Sequence, residues 1–584
     1  MNIQKLVTSF AAATVALPVL LLCAWPASAQ TITADGFPGS VAKAHCGPRD
    51  HTESGLQGET TQQERFSGDS ETAYNCNLEL MGEESQSAYQ GAFSQDGPAY
   101  YDVCAYYGSD NGPKTGQGIK VIDVSDPRHP RVTANLTDSP AALAPHETLA
   151  ANAKTRLLVA GQTTGMNFAV YDISDCRHPV LKGSVNESSS SFHHMGQFAP
   201  DGKTYYATQN FRGVGGFLYI FDVSDPANPK ALPPWQYLGD GRPHSLNINW
   251  KGFLPGVAEG TLLFAGQPGE FGAAPTDSSF GPDGLVIEDI SDYQFRRPNP
   301  QIRIISKLFW ADQGQSESMI PVHINGHPYI ITTDEAGGAG GSTGWAGACT
   351  RGASPFGYPQ IIDVADLRKP KIVAKLRLQV SDPANCAALL AETPPDSPGS
   401  APGTNLPAIS GTTNYSEETC VPDNPEDTKM LACGFQNAQL RVFDVSDLSH
   451  PKEIAYWKSG APRTRVLPAS GSWAPGVDRT VDKIAHWVRW VVVRGKGDGH
   501  GDGRDNDHDN GRGDDHGNDH DNGRGDDHGN DRGDRHGDDH GNSTEIQLWT
   551  VSDSHGFQVL RFSDSFKAQH QNLFAHTVTT EGPN

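Results

Sequence analysis

The chain has 584 residues, 36% of them hydrophobic, and a formal net charge of −24. Nucleic acids and anionic membrane surfaces repel so acidic a chain, and we expect neither as a partner. The 64 glycines and 41 prolines are typical of a protein with many turns, and no helical periodicity of useful length follows the first 29 residues. These features favour an all-β protein.

The first 29 residues predict a signal peptide. Lys5 supplies a short positive region, residues 6–22 are mostly apolar, and Ala27-Ser28-Ala29 is a small-residue cleavage site. The apolar run is short, and a cleavage site follows it. We therefore expect a bacterial protein that is exported to the periplasm, the cell surface or the medium, with no transmembrane anchor after cleavage.

Residues 30–83 form a polar segment that precedes the repeated part of the chain. Within it, the stretch Asn77-Leu78-Glu79-Leu80-Met81 has the character of a β-strand. If the rest of the chain closes into a ring, this strand would join the two chain ends and remove free sheet edges.

One short phrase recurs seven times between residues 84 and 570. Its clearest copy is 119–130, where β-branched residues run into Asp126-Pro127, a pair that suits a tight turn between strands. The aspartates that lead the first six copies are Asp123, Asp172, Asp222, Asp289, Asp363 and Asp444, and a degenerate copy follows at 549–553. The first intervals are about 50 residues, as in β-repeat arrays. We predict a seven-bladed β-propeller of four-stranded antiparallel blades over residues 84–570, followed by a C-terminal tail over 571–584.

The phrase Val121-Ile122-Asp123-Val124-Ser125-Asp126 and its spacing resemble the LVIVD-repeat family of bacterial exported β-propellers. The resemblance covers about Ala88 to Ser563. It implies the propeller fold and no single activity. A more distant likeness is to the selenium-binding protein and methanethiol oxidase propellers, which hold copper with histidines around the central channel. His193-His194 is the histidine run of this chain that matches them.

Histidines stand at the start of four predicted inner strands: His146, His194 (or His193), His244 and His323. The start of one strand and the end of its antiparallel neighbour lie at the same edge of a sheet. We therefore expect these histidines to gather at one mouth of the central channel. The polar residues expected on that face are Glu147, His193, Gln162, Gln209, Gln267, Asp334, Glu335 and Gln436.

Imidazoles that converge from several strands can hold copper, zinc or iron, with carboxylates as further ligands. Two other interpretations remain open at this point. Each histidine could cap strand ends and pack in a water-filled funnel, or the site could bind an organic ligand without a metal. The sequence contains no nucleophile elbow, phosphate-binding loop or HExxH motif, so hydrolase and nucleotide-binding functions have no support.

Residues 496–542 form a low-complexity insertion in the last blade. It contains fifteen aspartates and seven histidines and no apolar residue, so it cannot bury a core, and we predict a disordered surface loop. Its oxygen and imidazole groups offer weak binding of calcium or zinc. Expansion of a repeat without function is an equally open interpretation.

Cysteine usage agrees with export. Without Cys23, which lies in the leader, eight cysteines remain, and an even number in an exported chain favours disulfides. We predict one pair, Cys420 with Cys433, because these two flank a predicted hairpin. The other pairings stay open.

Two classes of function follow. The favoured one is a non-catalytic, monomeric scaffold that binds an unknown protein, glycan or small molecule through one propeller face. The alternative is a metal-dependent oxidoreductase, using copper or another transition metal, with His146, His194, His244 and His323 as ligands. Glu147 and Asp334 or Glu335 would then handle protons. Close clustering of the histidines would favour the alternative, and wide separation would favour the scaffold.

Overall fold

The computed structural model describes residues 35–85, 98–108, 118–145, 147–162, 165, 167–186, 193–209, 216–237, 243–267, 283–310, 312–335, 344–392, 414–461, 483–484, 487–494 and 544–580. The predicted signal peptide (1–29) and the predicted Asp/His-rich loop (496–542) lie outside these residues. In the part described, no helix is both long and apolar enough to cross a membrane.

Within the described ranges, thirty strands form seven antiparallel sheets, and this confirms the predicted seven-bladed propeller. The N-terminal segment contributes β1 (Tyr74–Cys76) and β2 (Leu78–Glu84). Blade 1 contains β3 (Ala99–Tyr101), β4 (Cys104–Tyr107), β5 (Ile119–Asp123) and β6 (Arg131–Leu136). Blade 2 contains β7 (Ala150–Asn152), β8 (Leu157–Gly161), β9 (Asn167–Asp172) and β10 (Val180–Asn186). Blade 3 contains β11 (Gly196–Phe198), β12 (Thr204–Thr208), β13 (Phe217–Asp222) and an outer strand in two pieces, β14 (Lys230–Ala231) and β15 (Trp235–Gln236).

The remaining blades follow the same order along the chain. Blade 4 contains β16 (Ser245–Ile248), β17 (Leu262–Gln267), β18 (Asp283–Asp289) and β19 (Arg303–Trp310). Blade 5 contains β20 (Ser316–Ile324), β21 (His327–Asp334), β22 (Gln360–Asp363) and β23 (Lys371–Lys375). Blade 6 contains β24 (Glu417–Pro422), β25 (Met430–Phe435), β26 (Gln439–Asp444) and β27 (Lys452–Lys458). Blade 7 contains β28 (Arg489–Arg494), β29 (Thr544–Ser552) and β30 (Gly556–Phe562).

Short helices lie at the periphery of the sheets. They are α1 (Gln62–Ser67), α2 (Ser291–Gln294), α3 (Gly344–Arg351), α4 (Cys386–Glu392), α5 (Asp564–Gln569) and α6 (Gln571–Phe574). Three 3₁₀ turns span Asp69–Glu71, Gln379–Ser381 and Pro383–Asn385. Beyond α6 the tail crosses blades 6 and 7, where the Val578 N–H donates to the Asp423 carbonyl and the Thr580 N–H to the Trp490 carbonyl.

In blades 1 to 6 the repeated phrase forms the connection from the third strand to the outer strand, whereas the degenerate copy at 549–553 joins β29 to β30 in blade 7. In the first copy, Asp123 Oδ1 accepts from the Ser125 N–H at 3.0 Å, and Asp126 Oδ1 accepts from the Arg128 N–H at 3.0 Å. These side-chain bonds mimic a backbone turn, which explains why aspartate recurs at both positions. The first bond is repeated at Asp172, Asp222, Asp289, Asp363 and Asp444.

The N-terminal segment supplies strands to the two last blades. β2 pairs with β30 and is the outermost strand of blade 7, so the ring is closed by strands from both ends of the chain. β1 pairs with β27 and gives blade 6 a fifth strand. Closure of this kind leaves fewer sheet edges open to other chains.

Four disulfides link the eight cysteines that follow Cys23. They join Cys46 to Cys76, Cys104 to Cys176, Cys349 to Cys386, and Cys420 to Cys433, the last being the pair that the sequence analysis predicts. Cys420 and Cys433 are directly opposite each other on β24 and β25. Four disulfides are typical of a protein from an oxidising compartment, either periplasmic or extracellular.

Candidate functional site

Polar residues of four neighbouring blades meet at the end of the channel where their inner strands begin. Glu147 lies just ahead of β7, His194 just ahead of β11, and His244 immediately before β16. From blade 5 come Glu317, the second residue of β20, and Glu335, which follows the end of β21. The start of one strand and the end of its antiparallel partner therefore meet at this edge, as the strand geometry predicts.

His244 is the centre of this group. Its Nδ1 lies 2.7 Å from Glu317 Oε2 and 3.1 Å from the carbonyl oxygen of Ser316. Its Nε2 lies 3.5 Å from Glu335 Oε1. His244 is fully buried and Glu317 is 2% exposed. One ligand atom from each of His244, Glu317 and Glu335 lies within 4.8 Å of the other two, a spacing that a single metal ion can bridge.

His194 lies beside His244. The centroids of the two imidazole rings are 4.3 Å apart, and His194 Nδ1 is 3.3 Å from Glu147 Oε2. Two of the four predicted histidines thus come together, with a carboxylate on each side. His146 is outside the described residues, and so is the side chain of Gln267.

The carboxylates of the group lie close together and repel one another electrostatically. Burial, the charge of Glu147 and a hydrogen bond to Glu147 raise the pKa of Glu317 well above its ordinary value. Burial and the charge of Glu317 likewise raise the pKa of Glu335, although His244 acts to lower it. Among the described residues, His244 is the sole basic residue within ion-pair distance of these two carboxylates. Buried carboxylates in such an environment need protons or a cation.

Two further aspartates fix the beginning of β20 at the site. Asp283 Oδ1 accepts from the Ser316 N–H at 3.0 Å and from Ser316 Oγ at 2.9 Å. Asp334 Oδ2 accepts from the Gln315 N–H at 2.8 Å and from the Gly314 N–H at 3.1 Å. The predicted channel residue Asp334 is therefore part of this region, where its carboxylate accepts hydrogen bonds from backbone N–H groups.

The structure places His323 elsewhere, and the expectation that it opens an inner strand is wrong. The strand begins at Ser316, so His323 lies seven residues further on, about 23 Å along β20. Its Nε2 is 2.8 Å from the Phe253 carbonyl, and its ring packs against Trp250. Pro321 lies within β20. This is an inner edge strand, where proline is tolerated because one side of the strand needs no ladder N–H.

The other predicted channel residues lie outside the group around His244. His193 is buried with its ring edge-on to Tyr219 and Phe221, and burial lowers its pKa to about 4, so it is neutral. Gln162 Oε1 accepts from Asn167 Nδ2 at 2.5 Å. Gln209 and Gln436 are buried, at the ends of the second strands of blades 3 and 6.

Sequence reasoning missed Gln315 and Glu317, which take the place in blade 5 that histidine holds in blades 3 and 4. The available signal was the polar run Gln315-Ser316-Glu317-Ser318 directly before the apolar part of β20.

Comparison with known proteins concerns the repeats and the fold. The LVIVD repeat profile matches residues 163–187 and 433–457. No curated protein matches the chain in sequence. Similar solved structures include a hypothetical selenium-binding protein from Sulfolobus tokodaii, with 13% identity, a TM-score of 0.40, and coverage of 80% of this chain and 92% of that one.

Two further solved structures are similar. Saccharomyces cerevisiae Sqt1 has 10% identity and a TM-score of 0.37, with 82% of this chain and 99% of that chain covered. A protein from Lactobacillus plantarum has 11% identity and a TM-score of 0.38, with 64% and 85% covered. The repeat matches and the seven four-stranded sheets lead to one conclusion: the protein is a seven-bladed β-propeller that carries LVIVD repeats.

Proposed function

We propose that the protein is an exported, metal-dependent oxidoreductase whose channel site binds one transition-metal ion. The ligands would be His244, through Nε2, and Glu335, with Glu317 contacting the opposite ring nitrogen of His244 and with His194 and Glu147 beside them. The observation that carries the proposal is the convergence of an imidazole and two carboxylates within 4.8 Å of one another. Imidazole and carboxylate donors together suit iron, zinc, manganese or copper(II).

The electrostatics of the site support a bound cation. Glu317 and Glu335 are buried close to each other and to Glu147. A divalent ion would relieve the repulsion among these carboxylates and compensate for their lost hydration. Electron transfer at a metal is often accompanied by proton transfer, and carboxyl groups with a raised pKa are suited to hold such protons. The raised pKa values of Glu317 and Glu335 are therefore what supports a redox activity.

The second candidate is the scaffold that the sequence analysis favours, a propeller that binds a protein, glycan or small molecule through one face. One observation supports it. His244 and Glu317 are 0% and 2% exposed, and a metal held by such buried ligands would serve stability if no substrate reaches it. In that case the ion would be structural, and the ligand of the exposed face would be the functional one.

The first test is the metal content of the full-length protein, produced with its own leader and purified without a histidine tag. Mass spectrometry should find about one equivalent of metal per chain after dialysis. The isosteric variant Glu335→Gln and the variant His244→Ala should lose it. His323→Ala is the matched control and should keep it, because His323 lies at the other end of β20. The Asp/His-rich loop is present in every variant, so its contribution cancels in the comparison.

The outcomes separate the candidates. A folded protein that stays metal-free after exposure to iron, copper, zinc and manganese, or equal metal content in Glu335→Gln and wild type, would contradict the metal site. A bound metal that ascorbate and ferricyanide reduce and reoxidise reversibly would support the oxidoreductase. A bound metal that responds to neither would favour the scaffold with a structural ion.

A further inference from the structure

The amide of Gln315 lies between two of the proposed metal ligands. Gln315 Nε2 is 3.2 Å from His244 Nε2, and it also donates a hydrogen bond to Glu335 Oε1. Those are the two atoms of His244 and Glu335 that lie 3.5 Å apart. The amide nitrogen therefore occupies the position from which a cation would contact both atoms.

The contacts of His244 Nδ1 determine which tautomer the ring adopts, and therefore which kind of atom the Gln315 amide contacts at Nε2. On the other side of the ring, Nδ1 faces two acceptors, the Ser316 carbonyl and Glu317 Oε2. Nδ1 therefore carries the hydrogen, and Nε2 presents a lone pair. The amide NH₂ of Gln315 thus donates to an imidazole lone pair and to a carboxylate oxygen, which are both metal-binding groups.

The other end of the same amide is unsatisfied. Gln315 is 3% exposed, and its Oε1 is buried without a hydrogen-bond partner among the described residues. A buried carbonyl oxygen without a donor is unfavourable because its lost hydration is not replaced. Rotation of the amide by half a turn would bring Oε1 towards His244 Nε2 and Glu335 Oε1. Three lone-pair atoms would then face one another, an arrangement that is favourable only with a cation between them.

The backbone of Gln315 is fixed, so that this rotation involves the side chain alone. Its N–H donates to Asp334 Oδ2 at 2.8 Å, and its carbonyl accepts from the Glu335 N–H at 3.1 Å. Glutamine turns about its terminal torsion with little steric change because its amide oxygen and nitrogen are nearly the same size.

We propose that Gln315 is a two-state ligand of the channel site. Its amide nitrogen faces inward and fills the site when no metal is bound, and its amide oxygen turns inward to bind the ion. The proposal rests on the metal site described above and adds a preference among metal ions. A carbonyl oxygen is a hard donor that suits divalent ions such as Mn²⁺ and Fe²⁺, and it is a poor ligand for Cu⁺. Gln315 should therefore disfavour cuprous copper.

The test compares full-length wild type with Gln315→Leu, which keeps the volume and can neither ligate nor donate, and with Gln315→Glu, which offers an oxygen ligand only. Mn²⁺ and Cu⁺ affinities are measured by competition with chelators. Gln315→Leu should lose Mn²⁺ affinity about 10–100-fold and change Cu⁺ affinity by less than about threefold. Gln315→Glu should keep Mn²⁺ affinity or raise it. Gln162→Leu is the matched control, since the amide oxygen of Gln162 accepts from Asn167 Nδ2, and it should match wild type.

A spectroscopic readout reports the ligand itself. With Co²⁺ as the probe, loss of one oxygen ligand in Gln315→Leu should change the visible d–d absorption, whereas Gln162→Leu should leave it as in wild type. Equal Mn²⁺ affinity and equal Co²⁺ spectra in wild type and Gln315→Leu would overturn the role of Gln315 and leave the metal site standing. Absence of binding in wild type would instead overturn the metal site, and the role of Gln315 with it.

Discussion

Arg441 and Glu53 are 388 residues apart in sequence, and their side chains form a buried ion pair in which Arg441 Nη2 lies 2.8 Å from Glu53 Oε2. Arg441 Nη1 is also 2.9 Å from Glu453 Oε1. Burial acts to raise the pKa of Glu53, but the charges of Arg441 and Lys458 outweigh it and hold the pKa at about 2. This pair attaches the N-terminal segment to blade 6.

Removal of one partner of this pair should destabilise the protein strongly. Arg441→Met leaves Glu453 buried without its cation and Glu53 with Lys458 as its remaining cation, and the expected loss in the free energy of unfolding is about 3–5 kcal/mol. The measurement is the shift of the urea unfolding midpoint. Glu79→Gln breaks the half-exposed pair of Glu79 with Arg561 and should cost less than about 1 kcal/mol. Similar losses in both variants would contradict the argument.

Two leucines on β2 test the ring closure. Leu78 is fully buried, and Leu80 is 41% exposed on the same strand. Leu78→Ala should lower the free energy of unfolding by about 3 kcal/mol, since it leaves a cavity next to β30. Leu80→Ala should change it by less than about 1 kcal/mol. Limited proteolysis should also cut the N-terminal segment faster in Leu78→Ala alone, and equal rates in the two variants would argue against a closing role for β2.

The disulfides should differ in their contribution to stability. Cys104–Cys176 joins blades 1 and 2 and encloses 72 residues, whereas Cys420–Cys433 lies within blade 6 and encloses 13. On chain entropy alone, their loss costs about 4 and about 3 kcal/mol respectively. Cysteine-to-serine double variants, compared by urea unfolding, should show the larger loss for the 104/176 pair. The reverse order would show that native-state packing outweighs chain entropy here.

Glu288 should make stability depend on pH. It is buried in blade 4, where the Tyr237 hydroxyl donates to its Oε2 at 2.7 Å, and burial raises its pKa from 4.5 to about 7. Between these values the folded protein keeps a proton that the unfolded chain has released. The contribution of Glu288 to the free energy of unfolding therefore falls as pH rises from 4.5 to 7.

Glu288→Gln removes this titration and keeps an acceptor for Tyr237. Its unfolding free energy, relative to wild type, should rise across pH 4.5–7 and reach a gain of up to about 3 kcal/mol at pH 8. Urea unfolding at pH 4.5, 6 and 8 measures the difference, with Glu79→Gln as the exposed control. Parallel pH profiles of wild type and Glu288→Gln would contradict the prediction.

The fold was accessible from sequence because its determinants are local. Asp123 and Asp126 form their turn bonds within two residues, so the phrase marks the connection to the outer strand in blades 1 to 6. The site was accessible only in part, because its members are set by which blades become neighbours. His194 and His244 stand before strands that the sequence delimits well. Gln315 and Glu317 lie at the start of β20, which the sequence analysis places at His323 instead. The role of β1 in blade 6 depends on pairing with a strand almost 400 residues away.

The pairing of β2 with β30 also determines when the ring can form during synthesis. β2 is made early, and about 470 residues separate it from β30. At about 5–20 residues per second, a nascent chain carries β2 without its partner for roughly half a minute to a minute and a half. During that interval its open edge is available to other chains, and the high contact order of the closed ring makes completion slow. The exposure of this protein to aggregation is therefore greatest before its final strand is complete.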